Sequence, residues 1–88
     1  MNKVVNLLQQ YISNGQLDKA LLECKKILLS DPNNIVLQKI LSHIHNLQEN
    51  FPEAIEVSQK LLLKIPNDFD CLNNLGYYNM KLEEYQLA

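Results

Sequence analysis

Two histidines, two cysteines and ten carboxylates are the side chains with the chemistry to hold a metal, attack an electrophile or move a proton. His43 and His45 stand two residues apart in a stretch with helical spacing. On a helix such a pair points to roughly opposite faces, so that segment cannot offer both to one metal. Neither histidine has zinc-site spacing with Cys24 or Cys71. Glu49 and the pair Glu83-Glu84 fall where turns are expected, and a carboxylate there serves as a cap or a solvated charge. Gly15 and Gly76 are the two glycines, which excludes a glycine-rich phosphate loop. No constellation for catalysis emerges. The chain is expected not to be an enzyme and to need no metal and no cofactor.

Composition narrows the remaining classes. With 88 residues the chain forms one small domain at most, and 47% apolar residues suffice for a packed core. Net charge is −2, and lysine and arginine form no stripe that would track phosphates, so nucleic acid is not an expected partner. No apolar run approaches the roughly 18 residues of a membrane span. The opening residues, Met1 to Asn6, contain no uninterrupted apolar stretch of signal-peptide length. Two unclustered cysteines suit a reducing compartment, so a cytoplasmic location is expected.

The elements that must position any site are helices. Val4, Leu7, Leu8, Tyr11 and Ile12 follow the i, i+3, i+4, i+7, i+8 pattern, and Gly15 interrupts it where a left-handed residue closes a helix. A second pattern runs through Ala20, Leu21, Cys24, Ile27 and Leu28 until Asp31-Pro32-Asn33-Asn34 stops it. A third is expected from about Ile35 to Gln48. Pro52 sits in the first turn of a fourth, where Pro is tolerated, and Asn50 and Glu53 have capping-box spacing. Ile65-Pro66-Asn67-Asp68 repeats the earlier stop. A fifth helix starts near Phe69, a turn is expected near Leu82-Glu83-Glu84, and a sixth helix near Tyr85.

Pro32 and Pro66 lie 34 residues apart, and the chain repeats around them. Leu7 falls on Leu41 and Leu75, Ala20 on Ala54 and Ala88, and Asn33 on Asn67. His45 falls on Tyr11, which suggests a packing role. A period of this size marks stacked helical units, each burying one face against the next.

The 34-residue unit of two helices closed by Pro resembles the tetratricopeptide repeat. The resemblance covers the whole chain, as one domain over 1–88 with repeats at 1–34 and 35–68 and a partial third at 69–88. It rests on Val4, Leu7, Tyr11, Gly15, Ala20 and Pro32; on Leu41, Ser42, Phe51, Ala54 and Pro66; and on Leu72, Leu75, Gly76, Tyr85 and Ala88. Leu8, Gln38 and His45 depart from the family pattern.

The resemblance implies an all-α fold of antiparallel helix–turn–helix repeats stacked in a right-handed superhelix, an α-solenoid. First helices of each repeat would line a concave groove that binds a peptide segment or helix of a partner protein. The groove residues this implies are Asn2, Val5, Asn6, Gln9 and Ile12; Val36, Lys39, His43 and Asn46; and Asp70, Asn73, Asn74 and Tyr77. Some relatives clamp the acidic tails of heat-shock chaperones. The matching places here, Val5, Gln9, Ile40, Asp70 and Asn74, are mostly unsuited, while Lys39, His43 and Asn74 match a shifted register in part. Such repeats also resemble the recognition arms that precede glycosyltransferase, sulfotransferase or methyltransferase domains, and bacterial secretion chaperones. The interrupted third repeat implies a truncated fragment or an unusual natural terminus. It also implies self-association through an uncovered face carrying Leu72, Leu75, Tyr78 and Leu82.

Overall fold

The computed structural model describes residues 2–87, and the side chains of residues 3–87. These residues form five helices and no strand: α1 (Asn2–Ser13), α2 (Leu17–Ser30), α3 (Ile35–Leu47), α4 (Phe51–Lys64) and α5 (Phe69–Leu87). Each helix packs chiefly on its neighbours in the chain.

The 34-residue period is present in the backbone bonds as well as in the side chains. Gly15 adopts φ 75° at the end of α1, and Glu49 adopts φ 62° at the end of α3. The amide of Gln16 donates to the Tyr11 carbonyl at 2.8 Å, and that of Asn50 to the His45 carbonyl at 2.8 Å. Gly15 donates to Ile12 at 3.0 Å and Glu49 to Asn46 at 2.9 Å. Both turns therefore satisfy orphan carbonyls with the same pair of bonds. The proline turns also match. Asn34 donates to Asp31 and Asp68 to Ile65 through their backbones, at 3.2 and 3.1 Å. The Asn34 side chain caps α3 by accepting from the Leu37 amide, and Asp68 caps α5 by accepting from the Cys71 amide, each at 3.0 Å.

Two clusters form the interior. Leu8, Ala20, Cys24, Leu37, Ile40 and Ile44 join α1, α2 and α3, with Val4, Tyr11 and Leu41 packed around them. Phe51, Ala54 and Tyr78 join α4 and α5, flanked by Ile55 and Leu82. Ala20 and Ala54 are both fully buried, as a short interhelical distance requires.

Three sequence expectations need correction. Pro52 does lie in the first turn of α4, but Asn50 makes no side-chain cap. Its backbone, at φ −90° and ψ 69°, is outside the extended region that aims a cap, and its side-chain nitrogen turns to Gln48 at 3.5 Å. The turn at Leu82-Glu83-Glu84 does not form, and no sixth helix begins at Tyr85. Instead α5 continues to Leu87. Lys81 to Leu87 contains no Gly or Pro to stop it, and Lys81 pairs with Glu84 at 3.4 Å along the helix. Tyr85 then seats its ring 5.5 Å from that of Phe51. Ala88 lies outside the described residues. The uncovered face of α5 also differs from the expectation. Tyr78 is buried and Leu75 and Leu82 are half-buried, so of the four named residues Leu72 alone is exposed.

Candidate functional site

The expected groove residues lie on α1, α3 and α5. On α1, Asn6 and Gln9 are exposed, whereas Val5 and Ile12 are half-buried and pack on the first core cluster. The side chain of Asn2 lies outside the described residues. On α3, Val36 and His43 are exposed and Asn46 is half-buried. On α5, Asp70, Asn73, Asn74 and Tyr77 are all exposed.

Lys39 is committed elsewhere. Its ammonium lies 3.1 Å from Asp68, the residue that caps α5. The Cys71 amide and then the Lys39 ammonium hold the Asp68 carboxyl below its ordinary range. The bond to Asp68 raises the Lys39 value in turn. An ion pair thus ties a lysine on α3 to the residue that caps α5.

Two of the groove residues, Asn46 and Tyr77, meet at a cavity of about 430 Å³ between the α3–α4 turn and the second half of α5. Leu47, Phe51 and Tyr85 supply apolar walls. Glu49, Lys81 and Glu84 supply charge. The nearby Glu49 carboxylate raises the pKa of the Tyr85 phenol. Lys81 lies 5.7 Å over the Tyr77 ring while paired to Glu84. The cavity is therefore an aromatic slot lined also by two carboxylates and by one lysine whose contacts run along α5. Its size falls within the range that accepts a side chain or small ligand.

Sequence reasoning missed Phe51, Tyr85, Glu49, Lys81 and Glu84 as members of one site. A signal existed, because Phe51 and Tyr85 are 34 apart and hence equivalent places in successive units. Equivalent places are expected to sit one unit apart, not to touch. They touch because α5 does not turn back.

His45 is buried, as its alignment with Tyr11 suggested, and its Nδ1 has no hydrogen-bond partner. Burial lowers its pKa, nearby Lys25 lowers it further, and Glu53 opposes them. Cys24 is fully buried, its thiol donates to the Leu37 carbonyl at 3.4 Å, and burial pushes its pKa up to about 11. A thiol so protonated is a poor nucleophile. Cys71 is also buried and free of any disulfide, and burial raises its pKa too. Among the described residues no three His, Cys, Asp or Glu side chains gather as a metal site. None of the described helices is long and apolar enough to cross a membrane.

Compared with known proteins, the chain matches no family model, and no curated protein is similar enough to count as a relative.

Proposed function

We propose that this chain is a protein-interaction module of the tetratricopeptide type, with α1, α3 and α5 as groove helices and α2 and α4 behind them. The 34-residue recurrence of turn geometry, capping bonds and buried alanines supports the repeat reading. In this reading the helices stack as a right-handed solenoid, and a segment of a partner protein lies across the groove. Exposed amides at Asn6, Gln9, Asn73 and Asn74 offer both donors and acceptors to a peptide backbone. Buried thiols outside any disulfide are in keeping with a reducing, cytoplasmic setting.

The observation that carries the proposal is the cavity shared by Asn46 and Tyr77. A partner's anchor side chain enters it between Phe51, Tyr77 and Tyr85, and the peptide backbone follows the amides. Peptides selected from a random displayed library on this chain test the idea. Calorimetry should show binding weakened about tenfold by Tyr77→Ala and by Asn46→Ala, a loss of about 1.4 kcal/mol. Leu63→Ala, at an exposed α4 position outside the cavity, should leave binding unchanged. Peptides that bind both cavity variants as well as the parent would refute the groove.

A further inference from the structure

The face of α5 turned away from α4 carries a pattern symmetric about Gly76. Leu72 and Met80 stand four residues to either side of it, and Asn73 and Asn79 three to either side. At about 100° per residue, positions 69, 72, 76, 80, 83 and 87 fall within a stripe about 80° wide. Every residue of that stripe is exposed. Phe69 and Leu87 are 74% and 81% exposed, and Leu72 and Met80 are 48% and 49% exposed. A Cβ built on Gly76 would meet nothing within 4 Å, so its helix backbone is open to close approach.

We propose that this stripe binds a second copy of the chain, with the two α5 helices antiparallel and crossing at Gly76. A two-fold axis through the crossing makes the contact isologous, so each residue meets its mirror position. Leu72 of one copy and Met80 of the other then share one layer, about 6 Å from the crossing point, and the same layer recurs on the other side. Gly76 against Gly76 lets the helices come near enough for both layers to close. Phe69 lies beside the aliphatic stem of Glu83 from the second copy.

Charge favours this orientation. The stripe holds no lysine, and its acid is Glu83. Antiparallel packing separates the two Glu83 side chains by roughly 21 Å, beyond the reach of their repulsion at physiological salt. Parallel packing would set them side by side. Area suits a weak pair. The exposed parts of Phe69, Leu72 and Met80 offer roughly 350 Å² of apolar surface per copy, which Asn79 and the stem of Glu83 extend; that is short of the roughly 800 Å² per partner of a standard interface and fits a pair that dissociates on dilution. This contact lies on a different face of α5 from the groove and does not depend on the groove reading.

Light scattering on the purified chain should give an apparent mass twice that of one chain at high concentration, falling on dilution. Leu72→Glu alone and Met80→Lys alone should each be monomeric, with unchanged helical circular dichroism because both positions are exposed. Mixing the two variants should restore the doubled mass, since the introduced carboxylate of one copy then shares a layer with the introduced ammonium of the other. A monomeric parent chain, or a mixture that stays monomeric, overturns the proposal. So does a Met80→Lys variant that remains dimeric, which would place the contact elsewhere.

Discussion

Replacing Ala54 by Leu tests the packing that sets the position of α5. Ala54 is fully buried in the cluster with Phe51 and Tyr78. Leucine adds three carbons at a point that the Asn46–Tyr77 cavity does not reach, since Ala54 does not line it. The helices must part or the side chain must leave its preferred rotamer, at a cost of about 1–3 kcal/mol. That is a large fraction of the roughly 4–13 kcal/mol available to a chain of 88 residues. Urea unfolding followed by circular dichroism reads it directly. With a slope of about 1 kcal/mol per molar, the midpoint should fall by about 1 M or more. Ala54→Gly separates packing from helix propensity, because glycine costs about 1 kcal/mol for the helix yet needs no space. Gln59→Leu, at an exposed position of α4, controls for the leucine itself and should leave the stability within about 0.5 kcal/mol of the parent. An Ala54→Leu midpoint equal to that of Gln59→Leu would refute the tight contact.

Three further outcomes are expected. The two glycines should respond in opposite directions to alanine: Gly15→Ala should cost about 1 kcal/mol because its φ is 75°, whereas Gly76→Ala should gain about 0.5–1 kcal/mol of helix propensity. Thermal melts at dilution check both, and a matching sign would contradict the backbone description. His45 has its pKa held below 6.5 in the fold, so the unfolded chain binds its proton first and stability should decline as pH drops below about 6.5. His45→Tyr, which copies Tyr11, should flatten that slope; an unchanged slope assigns it to another group. Asp68→Asn keeps an oxygen to cap α5 and loses the ion pair, while Asp68→Ala loses both, so alanine should be the worse by melting temperature and by amide exchange at the start of α5. Because the Asp68 pKa is depressed, its contribution should be complete at neutral pH and fade as pH falls below its ordinary value of 3.8.

The helix limits were legible from punctuation in the sequence. Pro32, Pro66 and Gly15 each act locally, through a missing amide or a left-handed φ, so no knowledge of neighbours is needed. The course of α5 was not legible in that way. Leu82-Glu83-Glu84 suits a helix as well as it suits a turn, and the contact between Tyr85 and Phe51 comes from residues 34 apart. Lys39 is similar: its place on α3 was readable, but its pairing with Asp68, 29 residues on, was not. Burial of His45 was readable because the period tied it to Tyr11. Of the cavity lining only Asn46 and Tyr77 were readable as groove positions, while the contact of Phe51 with Tyr85 depended on α5 running straight.

The two buried thiols give the chain a pair of built-in clocks. Cys24 lies in the cluster of α1, α2 and α3, and Cys71 in the first turn of α5. A thiol reagent reaches each one only when its own part of the chain opens, so each labelling rate reports a local opening free energy. Equal rates would mean that the molecule opens as a whole. A faster rate at Cys71 would mean that α5 breathes on its own, with the remaining helices still closed. No substitution is needed to make that measurement.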